Sequence, residues 1–304
     1  MNEIGIIGSG NVGANIAFFI AEKGVADVCL YDVKEGVPEG KSLDMMEAAP
    51  IRGYGTRIRG TDSFDDAASA DIVIITAGSV RSPGMKREDL FEKNTALIVE
   101  LAASFKGSKS TVILVTEPVD LLTTLFVRES GMDPSQVMGL GGYLDSTRLR
   151  YLLAKELGIS PESIDATVIG RHSDDMIPLP AYCTVAGVPV EHLIESERLE
   201  AIFAETRGAG ALIVDMAQRA SAYYGPSAVA AELAEAIRKD LKRTIPVSVM
   251  FTGQYGIEGV AMSLPAIIGA GGVVKVLEPR LSEEQKTRLT ESAEAVRRIV
   301  GGGR

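Results

Sequence analysis

The 304-residue chain contains no tryptophan and has two cysteines, two histidines, four asparagines and four glutamines. Each scarcity removes something. Cys29 and Cys183 are far apart, with no second thiol or histidine near either, which argues against a disulfide scaffold or a metal site and predicts two buried, reduced thiols. The scarcity of amides is a trait of heat-adapted chains. Apolar runs such as 72–77 and 111–115 are strand-length, far short of the roughly 20 residues that span a bilayer. The opening Met1-Asn2-Glu3-Ile4 lacks the basic-then-apolar order of a secretory signal, so the expected location is the cytoplasm, with no membrane contact. Basic residues are outnumbered, 31 against 41, for a net charge of −10. A chain this acidic repels phosphate backbones, which argues against nucleic acid as a partner.

What is present is ordinary globular composition: 46% hydrophobic and 24% charged residues, with 32 glycines and 13 prolines. At roughly 150 residues per domain the length predicts two domains or one large α/β unit. Short β-branched runs at 4–7, 28–31, 72–76 and 112–115 alternate with helical patterns at 11–22, 88–105 and 119–128. That alternation predicts a doubly wound parallel sheet. Beyond Gly142 the texture changes. A helix over 144–157 leads to a strand at 166–169, and pieces broken by Pro178, Pro180, Gly187 and Pro189 read as antiparallel ribbon. Further helices are expected over 209–223 and 227–240. A capping box at Ser282-Glu283-Glu284-Gln285 opens a last helix with Leu289, Ala293, Val296 and Val300 on one face. The expected fold class is therefore α/β: a Rossmann-type dinucleotide-binding domain over 1–142 and an α+β substrate domain over 143–304, hinged at 139–142.

Gly8-Ser9-Gly10-Asn11-Val12-Gly13 is a G-x-G-x-x-G that follows the first strand and opens the first helix. Gly8 permits the tight turn, Gly10 lets the backbone approach a pyrophosphate, and Gly13 lets helix and strand pack closely. Asp32 ends the second strand, 19 residues after Gly13. A carboxylate there accepts hydrogen bonds from ribose hydroxyls and repels a 2′-phosphate, favouring NAD over NADP.

Of the two histidines, His192 reads as a surface residue at a helix start. His172 follows a strand in the polar loop Gly170-Arg171-His172-Ser173-Asp174-Asp175. A lone histidine is more often structural than catalytic, but this one has company. Asp145 and Arg148 stand three apart on one helix face, an acid able to orient an imidazole and a planar fork able to grip a carboxylate. The bland alternative is a helix-start acid with a local ion pair. The basic loop Arg81-Ser82-Pro83-Gly84-Met85-Lys86-Arg87 crosses the carboxyl end of a parallel strand, where such folds bind ligands.

Together these segments, with Thr76-Ala77-Gly78, Thr116 to Asp120 and Gly253-Gln254-Tyr255-Gly256, resemble the lactate/malate dehydrogenase family over essentially the whole chain, and within it the malate dehydrogenases built on the lactate dehydrogenase plan. The resemblance implies NAD-dependent hydride transfer between a 2-hydroxy acid and its 2-oxo acid. His172 would be the acid–base group, Asp145 its orienting partner, Arg148 the grip on the C1 carboxylate and Arg87 the polariser of the carbonyl. Arg81 would pair with a second carboxylate, which makes the substrate a small dicarboxylate. Thr76, Ala77, Gly78, Asn94 and Thr116 would join Gly8 to Gly13 and Asp32 around the cofactor, and the protein would be a homo-oligomer, a tetramer or a dimer. An L-lactate or other 2-hydroxyacid dehydrogenase is the alternative activity, and a ligand-binding protein with poor turnover is the non-enzymatic one.

Two positions depart from the family pattern. Glu117 stands where members usually carry Asn, at the substrate, and Arg171 and Ser173 replace an acid and a glycine beside His172. One position gained a negative charge and the other a positive one, so an ion pair between Glu117 and Arg171 is expected.

Overall fold

Runs that are apolar on both faces form strands where both faces are covered. In the computed structural model, which describes residues 3–79, 87–217 and 221–302 and only the backbone of residues 87 and 88, the first half follows this rule. Strands β1 (Glu3–Ile7), β2 (Asp27–Tyr31), β3 (Ile58–Thr61), β4 (Ile72–Ile75), β5 (Thr111–Leu114) and β6 (Val137–Gly139) pair in parallel in the order β3-β2-β1-β4-β5-β6. Every residue of β4 and β5 is buried. Helices α1 (Asn11–Glu22), α2 (Val37–Arg52), α3 (Phe64–Ala68), α4 (Arg87–Ser104) and α5 (Val119–Ser130) connect the strands. On α1 the buried residues are Gly13, Ile16, Ala17, Ile20 and Ala21, one stripe at helical spacing. The strand order reverses between β1 and β4, and the crevice beyond their carboxyl ends is where such sheets bind ligands.

The second half begins with α6 (Gly141–Leu157), followed by short antiparallel strands β7 (Ile164–Asp165), β8 (Val168–Ile169), β9 (Ile177–Pro178), β10 (Thr184–Val185) and β11 (Val188–Pro189), the expected ribbon. Helices α7 (Ser196–Ala217) and α8 (Tyr224–Arg238) come next, then β12 (Arg243–Thr252), β13 (Glu258–Gly269), β14 (Gly272–Val276) and α9 (Glu283–Gly302). α7 starts well ahead of the expected 209, because Leu199, Ile202, Phe203 and Thr206 bury one face and carry the helix through Gly208 and Gly210. Pro226 sits in the first turn of α8, where its missing N–H is not needed. The capping box forms in full: Gln285 N–H donates to Ser282 Oγ at 3.2 Å and Ser282 N–H to Gln285 Oε1 at 2.9 Å.

The segment 139–142 is not a loose hinge. All four residues are buried. The β12–β13–β14 meander joins the parallel sheet there, with Ser248 opposite Gly139, and Gly142 N–H donates to Ser263 Oγ at 2.8 Å. One continuous sheet thus runs through both halves. Both thiols are buried and free, and burial pushes Cys29 up to about 12 and Cys183 up to about 11. Among the described residues no helix is long and apolar enough to cross a membrane.

Candidate active site

The cofactor side is built from main chain. Gly8 adopts φ +107°, a turn that suits glycine, and Ala77 N–H and Thr76 N–H both close onto Ile7 O at the mouth of the sheet. A Cβ on Gly13 would lie 1.9 Å from Gly8 O, so only glycine lets α1 start this close to β1. A Cβ on Gly10 would meet nothing within 4 Å. Gly10 also caps α1 without any side-chain hydrogen bond, and no acid occupies the first turn. The first N–H groups of α1 therefore face open space beside Gly10, a cradle suited to a pyrophosphate.

Asp32 sets the other end. Its Oδ2 accepts from Ser9 N–H and Ser9 Oγ, both at 2.8 Å, and its Oδ1 from Lys34 N–H at 3.2 Å. Partial burial works against the charge, but these donors prevail and hold the carboxyl below its ordinary range. Between these points runs a cleft of about 530 Å³, lined by Gly8, Gly10, Asn11, Val12, Gly13, Asp32, Thr76, Ala77, Gly78 and Asn94 among others. Asn94 braces it, accepting Ser79 N–H at 2.8 Å and donating to Glu117 O at 2.8 Å. Thr116 lies behind the wall and donates to Ala77 O at 2.7 Å. These residues fit an NAD molecule: space at the glycines, uncapped amides, and an ionised acid on the cleft wall.

The chemical side is built from charged side chains. His172 is 6% exposed. Its Nδ1 lies 2.7 Å from Asp145 Oδ2 and its Nε2 3.0 Å from Glu117 Oε1. Burial alone would drive the imidazole neutral, yet the two carboxylates outweigh it and push the pKa up to about 10. A carboxylate at each ring nitrogen thus favours the protonated ring. Arg148 follows one turn after Asp145 on α6, with Nη1 3.6 Å from Asp145 Oδ1, too long for a hydrogen bond. It shares a pocket of about 120 Å³ with Glu117, His172, Ser79 and Ser221. Ser79 and Ser221 line the cofactor cleft as well, so the two spaces adjoin.

The sequence singled out His172, Asp145, Arg148 and Glu117, and the fold brings them together. His192 is exposed. Arg81 and the Arg87 side chain lie outside the described residues. The expected pair between Glu117 and Arg171 does not form. Arg171 bonds Asp175 Oδ1 at 3.0 and 3.1 Å and Ser173 Oγ at 3.0 Å, while Glu117 meets His172. Residues 171 and 172 are adjacent and send their side chains to different partners, so the arginine cannot follow the histidine into the pocket.

Asp120 is the residue the sequence reading gave no role. It stands in the first turn of α5, 2% exposed, and its Oδ2 accepts the His172 main-chain N–H at 2.6 Å. Burial pushes its pKa up to about 6, against the pull of the Ser248 hydroxyl and of that N–H. Among the described residues Asp120 Oδ1 and Thr123 Oγ1 are buried without hydrogen-bond partners, and the Ser248 hydroxyl faces Asp120 without a well-shaped bond to it. An acid two positions after Pro118 reads as a helix-start residue, and only the fold reveals its burial and its hold on the histidine loop.

Comparison with known proteins agrees with this geometry. A family model described as lactate/malate dehydrogenase, NAD binding domain, matches residues 2–139, and the lactate/malate dehydrogenase alpha/beta C-terminal domain matches residues 143–302. A malate dehydrogenase of Salinibacter ruber is 44% identical over 294 residues, 96% of this chain and 93% of that one. The crystal structure of Cryptosporidium parvum malate dehydrogenase superposes with a TM-score of 0.95 at 34% identity, covering 99% of this chain and 98% of that one. A lactate dehydrogenase from the same organism, complexed with lactic acid and nicotinamide adenine dinucleotide, superposes with a TM-score of 0.94, also at 34% identity and over 99% and 98% of the two chains. Overall shape therefore does not separate the two activities.

Proposed function

Since the chain belongs to the lactate/malate dehydrogenase family and is an NAD-dependent oxidoreductase, we propose that it interconverts oxaloacetate and (S)-malate. The observation that carries this reading is the buried His172 ring held by Asp145, beside Arg148 and next to the cofactor cleft. The name malate dehydrogenase, shared by curated relatives at 40 to 44% identity, supports the choice of substrate. NAD, when bound, supplies or accepts the hydride. The residues around it do the rest.

In the reductive direction His172 gives its Nε2 proton to the carbonyl oxygen, and in the oxidative direction it takes the hydroxyl proton. Asp145 holds the ring and stabilises its charge. Arg148 grips the C1 carboxylate through two parallel hydrogen bonds. Arg87 polarises the carbonyl and Arg81 pairs with the second carboxylate, roles carried by the family resemblance of their loop. Gly8 to Gly13, Asp32, Thr76 to Gly78, Asn94 and Thr116 hold the dinucleotide or the backbone it rests on. We set the functional boundary near residue 142, with most of the cofactor cleft before it and the acid–base histidine after it.

The reading extends to a cytoplasmic homo-oligomer, a dimer or a tetramer. Exposed Leu43 and Ile51 on α2 and Leu212 and Met216 on α7 support self-association, and the two buried free thiols suit a reducing compartment.

Parallel assays of NADH oxidation with oxaloacetate and with pyruvate, repeated with NADPH, test the proposal. Oxaloacetate with NADH should be strongly preferred. Arg81→Gln should depress kcat/KM for oxaloacetate far more than for pyruvate. A site built around a polar partner rejects the analogue lacking it by roughly 10⁴-fold. Equal losses for both substrates would remove Arg81 as the selector, and preference for pyruvate would make the chain a lactate dehydrogenase.

A further inference from the structure

We propose that Glu117 is a positioning residue for the acid–base step: in the substrate-free enzyme its carboxylate holds the Nε2 proton of His172, and so sets the pH range over which each substrate is accepted. The inference rests on His172 being the acid–base group.

The geometry separates the two carboxylates that clamp the ring. Asp145 approaches Nδ1 from within, its side chain 1% exposed, whereas Glu117 approaches Nε2 with its side chain 39% exposed. Glu117 thus stands on the open side, at the nitrogen that must meet the substrate oxygen. A substrate oxygen within hydrogen-bond reach of Nε2 takes the place of Glu117 Oε1, now 3.0 Å away. The carboxylate therefore stabilises the charged imidazole before substrate binds and gives up that contact afterwards. The neutral amide usual in the family stabilises the free imidazolium far less.

Among the described residues, the other charged groups around the ring do not duplicate this effect. From α6, Asp145 bonds Nδ1 and Arg148 pairs with Asp145. From α5, Asp120 bonds the main-chain N–H of residue 172 and not the ring. On the histidine's own loop, Arg171 is engaged by Asp175. Among the described residues, Glu117 is the carboxylate at the reacting nitrogen.

The pH dependence of kcat/KM reports the free, cofactor-loaded enzyme, and that of kcat reports the substrate complex. Reduction requires the charged ring and oxidation the neutral one. With Glu117 in place, kcat/KM for oxaloacetate should hold to an alkaline break, and kcat/KM for malate should climb tenfold per pH unit to the same break. Glu117→Gln should lower both breaks together, by a pH unit or more, which is a tenfold or greater change in proton affinity. The kcat profiles should move less, because the substrate oxygen already occupies Nε2 in that complex.

The decisive experiment is an NMR titration of the two imidazoles in the NAD-loaded protein, assigned with His172→Asn and with exposed His192 as the internal reference. Wild-type His172 should stay charged well above pH 8, and Glu117→Gln, or Glu117→Asn if the Gln variant does not fold, should titrate at least one unit lower. Overlapping curves for wild type and variant, or a wild-type His172 that titrates near its ordinary value, would overturn the proposal. The titration needs no turnover, so it gives its answer whichever 2-oxo acid the enzyme prefers.

Discussion

The glycine end of the cofactor cleft comes from one contiguous stretch, Gly8 to Gly13, and works through backbone amides and the space that missing side chains leave. The acid–base cluster takes Glu117 and Asp120 from the start of α5, Asp145 and Arg148 from α6, and His172 from the loop after β8. In the cleft, the ionised Asp32 is already satisfied by neighbouring donors. In the cluster, two carboxylates clamp one buried imidazole and a third holds its main chain, and among the described residues Asp120 and Asp145 each keep a buried oxygen without a hydrogen-bond partner. A region that only recognises can be electrostatically quiet. A region that moves a proton stores opposed charges where water cannot screen them.

The comparison implies that the two functions can be damaged separately. The largest expected effect is from His172→Asn, which removes the transferable proton. Turnover should fall by about 10²- to 10⁴-fold, the usual worth of a positioned acid–base group, while NADH affinity stays near the wild-type value. Steady-state kinetics and a fluorescence titration with NADH check both halves. If the cofactor is lost along with turnover, the regions are not independent.

The reverse experiment is Gly13→Ala. Its Cβ would fall 1.9 Å from Gly8 O and 2.8 Å from Thr76 Oγ1, so α1 must retreat from the sheet and carry the uncapped amides with it. Overpacking of this kind costs about 1–3 kcal/mol. Taken from binding, that is roughly a 5- to 150-fold weaker affinity for NADH. The His172 titration should not move. A shifted titration would show that the glycine turn also tensions the acid–base cluster.

What the sequence made legible follows the same division. The glycine motif, Asp32 and the capping box of α9 are local, and local rules read them. His172, Asp145 and Arg148 were legible through their family setting, since no spacing rule joins residues 145 and 172. The partner of Glu117 was misread because charge bookkeeping matched it with Arg171, which the turn to Asp175 claims first. The β12–β14 meander went unread for a different reason. Pro246 and Pro265 argue against sheet, yet they lie opposite each other in the β12–β13 register. Asp120 was invisible as a functional residue because burial is a property of the fold.

Asp120 gives the sharpest test of stored charge. Burial raises its pKa to about 6 in the folded protein, above the roughly 3.9 of an unfolded aspartate. Between these values the folded state binds the extra proton, so this group's contribution to stability falls as pH rises from about 4 to 6 and stays lowered above that. His172 is raised instead, so it stabilises below about 6.5 and loses that contribution as pH rises toward about 10. The windows barely overlap, and Asp120 can be read alone. Asp120→Asn keeps an oxygen for the His172 N–H, turns a donor toward Ser248, and has nothing to ionise. The stability difference, variant minus wild type, should grow in the variant's favour between pH 4 and 6 by up to about 3 kcal/mol and then level off. Denaturant melts at several pH values measure that difference, in which the other carboxylates cancel. A flat difference would mean that Asp120 titrates as an ordinary acid, and that the cluster holds less opposed charge than its geometry implies.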